Sequence, residues 1–96
     1  MPNNFTSKST ASISAQNIFC DPIQLSGPFN FSLSGTWSAT VWLQRSYDGG
    51  STWLDVQGYT ANVEDAWSEH EVGVLWRFGV KTGGYTSGTV IGRMSQ

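Results

Sequence analysis

Leu43-Gln44-Arg45-Ser46-Tyr47-Asp48-Gly49-Gly50-Ser51-Thr52-Trp53-Leu54-Asp55-Val56-Gln57-Gly58-Tyr59 is the stretch whose reading decides the fold class. At its centre, Asp48-Gly49-Gly50 offers residues that tolerate positive φ, which a tight turn needs and most side chains resist. Before the turn, Trp37–Arg45 is rich in β-branched and aromatic residues, with Trp37, Ala39, Val41 and Leu43 on one face. After it, Leu54 and Val56 face one way while Asp55 and Gln57 face the other. The expectation is a β-hairpin.

Outward from the hairpin the same period recurs. Phe29, Phe31 and Leu33 alternate with Asn30, Ser32 and Ser34, which marks a strand with one buried face, ended by Gly35. Val72–Val80 puts Val74, Trp76, Phe78 and Val80 on one face, Thr82-Gly83-Gly84 reads as a turn, and Thr89–Met94 as the last strand. Small residues around Ile13 permit a weak edge strand within Ser9–Ala15, and Asn17–Cys20 is a short apolar run ended by Asp21-Pro22. Thr60–Glu71 is acidic and non-periodic, and reads as a loop pinned by Val63 and Trp67. No helical period appears. The chain is therefore expected to be all-β: a small antiparallel β-sandwich or jelly roll of six to eight short strands. Residues 1–16 form a polar N-terminal arm and residues 17–96 a single domain, with immunoglobulin-like and jelly-roll topologies both open.

Composition narrows the function classes. Among 96 residues, 39% are hydrophobic and 14% aromatic, enough for one modest core, while only 12% are charged. A polar surface with few ions suits extended protein contacts. The net charge of −2 leaves no basic patch for phosphates, so no nucleic-acid partner is expected. Acids crowd Asp48–Glu71 and bases follow from Arg77 to Arg93; this reads as two solvated faces, or as patches that guide packing of identical subunits. Cys20 is the single cysteine, which fits assembly in a reducing cytosol. The N-terminal residues lack the pattern of a signal peptide, and no run approaches the ~20 apolar residues of a membrane helix.

No constellation of reactive groups emerges. His70 stands alone between Glu69 and Glu71, which on a strand would face away from it, and no second His or Cys pair completes a metal site. Cys20 sits in an apolar run, as an inert buried thiol does. No catalytic residue, cofactor or metal is expected, and the protein is not expected to be an enzyme. Phe5, Trp42, Tyr47 and Trp67 are the candidate interaction side chains: Trp42 is out of phase with Val41 and Leu43, and Trp67 lies in the acidic segment. A pair such as Trp42 and Trp67 would also serve as a sugar-stacking platform, so a glycan ligand stays open.

Ser46-Tyr47-Asp48-Gly49-Gly50-Ser51-Thr52-Trp53 resembles the Asp-box of sialidases and related propellers, S-x-D-x-G-x-T-W. In that family the motif is a folding device. The resemblance implies structural roles for Ser46, Asp48, Gly50, Thr52 and Trp53: the Asp accepts backbone hydrogen bonds in the turn, the Gly takes positive φ, and the aromatic anchors the hairpin to the core. It carries no glycosidase activity to this short chain.

From Gly35-Thr36-Trp37 through Trp53, then Gly73-Val74-Leu75-Trp76-Arg77, Ser87-Gly88-Thr89-Val90 and Arg93-Met94-Ser95-Gln96, the pattern resembles small β-sandwich virion proteins of tailed bacteriophages. That resemblance implies a non-enzymatic structural protein located in the virion. The implied partner is first the major capsid protein lattice, bound as a decoration or cement subunit, with a homo-oligomer, in first place a trimer, as its state. A neck or tail component, or a carbohydrate-binding module used in host adsorption, are the alternatives.

Overall fold

The two longest alternating runs do not stop where glycine interrupts them. In the computed structural model, which describes residues 8–96, the strands are β1 Lys8–Ile13, β2 Ile18–Phe19, β3 Ile23–Gln24, β4 Gly27–Ser46, β5 Leu54–Tyr59, β6 Val63–Glu69 and β7 Leu75–Ser95. All pairing is antiparallel, and the fold is all-β as the pattern requires. The strands are not uniformly short, however: β4 has 20 residues and β7 has 21, and they pair from Asn30↔Ser95 to Ser46↔Leu75.

This pair builds both halves of the molecule. In the first half, the N-terminal part of β4 lies between β6 and the C-terminal part of β7, and β1 flanks β7 from Lys8↔Ser95 to Ile13↔Val90. In the second half, the C-terminal part of β4 lies between β5 and the start of β7, with β2 and β3 on the far side of β7. The halves fold over a common core. Phe29 meets Trp76 at 4.7 Å, Phe31 meets Tyr59 at 5.1 Å and Phe78 at 5.4 Å between ring centroids. Each of these contacts joins one half to the other, and edge-on or tilted geometry adds to simple burial. Ile13, Leu25, Leu33, Val41, Leu43, Val80, Val90 and Met94 complete the core. The strands form one antiparallel sheet, bent so that its two halves face each other as a sandwich.

Two glycines make the corner. Gly35 (φ 97°) and Gly88 (φ 85°) occupy the left-handed region within β4 and β7. An added Cβ on Gly35 would lie 2.6 Å from the Thr89 carbonyl oxygen, and one on Gly88 would lie 2.6 Å from Trp37 Cα and strike the Thr36 carbonyl. The two strands approach too closely for side chains at those points, so glycine bends each strand without ending its pairing. The expected turn at Thr82-Gly83-Gly84 is likewise a bulge: Ala39 faces Tyr85 and Val41 faces Val80, so residues 81–84 all sit opposite Thr40.

The expected loop Thr60–Glu71 is mostly strand. β6 pairs with β4 from Gly27↔Glu69 to Leu33↔Val63, placing Val63, Asp65, Trp67 and Glu69 on the inward side. The alternation is real, but half of its inward set is acidic, and a pattern based on hydropathy passes over it. At the N-terminus, β1 belongs to the sheet and buries Ile13 completely. Phe5 lies outside the described residues.

Candidate functional site

The central hairpin is organised by one hydroxyl. Ser46 is wholly buried; its Oγ donates to Asp48 Oδ1 (2.7 Å) and accepts from the Gly50 N–H (2.9 Å). Asp48 Oδ1 also accepts from the Thr52 N–H at 2.8 Å. Gly49 and Gly50 take φ of 72° and 99°. Hydrogen bonds from Ser46 first, then from Thr52, hold the Asp48 carboxyl below its ordinary value. Asp48 therefore supports the turn fully above the unfolded-state pKa and loses that support as pH falls through its lower folded value. Replacing Ser46 with alanine leaves the Gly50 N–H and Asp48 without their partner. It is expected to cost about 1–3 kcal/mol in urea unfolding, with the m-value unchanged.

Trp53 does not anchor this hairpin in the core, as the Asp-box likeness implies. It lies half-buried on the outer face of the second half, stacked on the Arg77 guanidinium at 4.3 Å. Phe19 covers Arg77 at 3.9 Å. The reason is register: Arg77 pairs with Gln44, whose side chain points away from the core face that carries Leu43 and Phe78. Arg77 Nε donates to Gln44 Oε1 (2.8 Å), Gln44 Nε2 donates to Asp55 Oδ1 (2.8 Å), and Lys81 Nζ reaches Asp55 Oδ2 (2.5 Å). Lys81 in turn lies 4.6 Å from the Trp42 ring centroid, and that ring covers Gly58. A polar relay thus runs from Lys81 to Arg77 between aromatic rings. Burial pulls the Arg77 guanidinium down from its ordinary value. A shallow groove of about 490 Å³ opens beside it, lined by Asn17, Phe19, Gln44, Trp53, Arg77 and Thr82 together with Lys81.

A second cluster closes the sandwich rim. Glu69 is buried at 3% exposure, accepts from Trp76 Nε1 (3.1 Å) and the Glu71 N–H (3.0 Å), and faces Arg45 Nε at 3.4 Å. The Arg45 contact is an ion pair without hydrogen-bond geometry. Nearby, Tyr59 donates to Asp65 (2.9 Å) and accepts from Trp67 Nε1 (3.0 Å). Burial foremost, with the Asp65 carboxylate adding to it, pushes the Tyr59 phenol up to about 12 from 10.0. A group raised on folding stabilises below its unfolded pKa and loses that effect as pH rises through the folded one. Stability should therefore fall between about pH 10 and pH 12, and Tyr59→Phe should flatten that limb; denaturant midpoints measured across alkaline pH check this.

The predicted interaction residues do not converge. Trp42 is on the outer face of the second half, whereas Trp67 faces inward on β6 and bonds to Tyr59. Tyr47 is 55% exposed at the hairpin and takes a hydrogen bond from Arg45. Of the acids and bases segregated in sequence, Asp55 meets Lys81, whereas Glu69 and Glu71 face Arg45, which precedes the acidic stretch. Cys20 is buried, its thiol pushed up by burial, with the Phe78 N–H directed at its Sγ. Sequence reasoning missed the groove around Arg77. The available signal was the outward phase of Trp42, Gln44 and Arg77 in their strands. Comparison with protein-family models, curated proteins and solved structures gives no match.

Proposed function

We propose that the protein is a non-enzymatic structural subunit of a tailed-bacteriophage virion, first of all a decoration protein that binds the major capsid lattice as a homo-oligomer. The observation that carries this reading is where the polar side chains go. Glu69, Gln44, Ser46, Asp48 and Asp55 all hold strands and turns in place, and two long strands tie both halves into a slab of 42 × 31 × 17 Å. Such a slab offers broad faces for contact. A repeated weak contact on a lattice becomes a stable one by multivalency. The test is copy number in purified particles, together with light scattering of the isolated protein. Hundreds of copies per particle and a closed oligomer are the expected result. A dozen copies or fewer would move the assignment to neck or tail, and absence from particles would overturn it.

A second reading has its own observation. Phe19, Trp42 and Trp53 share one outer face with amide and hydroxyl side chains, the composition that saccharide recognition uses. Glycan-array binding lost in Trp42→Ala, with the fold intact, would favour a saccharide-binding module.

A further inference from the structure

The geometry points to a carboxylate-binding site at Arg77, built to take an acidic saccharide in the groove between Phe19 and Trp53. The inference rests on the saccharide reading of this face and not on any role in a particle.

Arg77 is the cation that the fold leaves without a carboxylate in this cluster, among the described residues. Lys81 is neutralised by Asp55 at 2.5 Å, while Arg77 is held by a neutral amide through Nε alone. Its guanidinium carbon lies 3.9 Å from the Phe19 ring centroid and 4.3 Å from that of Trp53. Two ring contacts and the Gln44 hydrogen bond restrict the guanidinium, whose remaining N–H groups lie in its plane, the geometry that matches a carboxylate bidentately. A partly desolvated cation without a counter-ion carries a cost that a bound anion would offset. The relay from Lys81 through Asp55 and Gln44 orients the guanidinium in advance, so little ordering remains at binding.

The rest of the groove sets the ligand class. The Asn17 carboxamide and the Thr82 hydroxyl suit sugar hydroxyls, and Trp53 and Phe19 supply apolar rims, while the buried Gln44 carboxamide is already engaged by Arg77 and Asp55. The volume of about 490 Å³ falls within the range of small-ligand clefts, roughly 300–1,000 Å³. Phe19, Arg77 and Gln44 lie on β2, β7 and β4, so the site spans three neighbouring strands on the outer face of the sheet.

The test is an NMR titration of the whole chain with sodium glucuronate, using glucose, an oligoglutamate peptide and sodium chloride at matched ionic strength as comparisons. Saturable shifts of the Arg77 Nε–H and Trp53 indole N–H with glucuronate, and not with glucose or chloride, are the expected result. Acetate should displace glucuronate. Arg77→Lys keeps the charge but loses the fork, and should weaken binding about tenfold or more, as loss of a charge-assisted hydrogen bond does. Thr82→Val removes a rim hydroxyl without touching the stack and should weaken glucuronate more than acetate, which keeps the test decisive if Arg77 variants fold poorly. No saturable response to glucuronate, or the same response in Thr82→Val and Arg77→Lys, overturns the site. Neutral sugar binding at Trp42 without glucuronate binding overturns the site but leaves the saccharide reading; peptide binding alone overturns both.

Discussion

Gly88→Ala is expected to destabilise the protein by about 2–5 kcal/mol, and Gly88→Val by more. Two costs add. An L-residue at φ 85° pays about 1–2 kcal/mol for the left-handed backbone. Its Cβ would then press into the Thr36 carbonyl and Trp37 Cα, main-chain atoms that cannot rotate away, and overpacking of that kind costs about 1–3 kcal/mol. Because the opposing strand carries its own tight point at Gly35, the strain falls on the corner that joins the halves. Equilibrium urea unfolding followed by tryptophan fluorescence measures the effect. Gly83→Ala is the control: its φ is also positive, at 84°, but nothing lies within 4 Å of the added atom. It should pay the backbone cost alone. Equal losses at both sites would mean that close approach of the strands contributes nothing.

Arg45→Met should cost about 3–5 kcal/mol, the penalty for leaving a buried charge without its partner. The Glu69 side chain is 1% exposed against 27% for Arg45, so the carboxylate cannot turn to water when the guanidinium is gone. Trp76 Nε1 and the Glu71 N–H still donate to it, but neither carries a full charge. The double variant Arg45→Met with Glu69→Gln should recover part of the loss. The glutamine carboxamide keeps an acceptor for Trp76 and removes the unpaired charge. Coupling between the two sites, read from a double-mutant cycle in urea, is therefore expected to be favourable. Strict additivity would show that the ion pair does not hold the rim. Lys81→Met is the contrast. Its pair with Asp55 is 41% and 38% exposed, so its loss should cost no more than about 1 kcal/mol.

Both predictions depend on features that lie at different depths of legibility. The hairpin around Asp48 could be read directly, because its chemistry is local: Ser46, Asp48, Gly50 and Thr52 bond to one another within a few residues. The buried faces of β4 and β7 could also be read, since period-2 hydropathy reports Phe29, Phe31, Leu33, Trp76, Phe78 and Val80 without any knowledge of their neighbours. Gly35 and Gly88 misled in a specific way. A glycine in a strand reads as an end when its partner is unknown, and here each is a bend that the facing strand requires.

β6 and the Arg77 groove show the other limit. Asp65 and Glu69 point inward because Tyr59, Trp76 and Arg45 are waiting there, and all three come from other strands. Arg77 becomes a cation packed against two rings only when β2 brings Phe19 and the hairpin brings Trp53 next to it.

What the chain determines by itself is the all-β class, the turn at Asp48 and which residues are apolar enough to be buried. Those follow from local backbone preference and from hydropathy at a spacing of two. The tertiary structure alone decides which polar groups are paired and which cation of the Arg77 cluster lacks a carboxylate. Pairing energies belong to contacts between distant segments, and no single segment carries them.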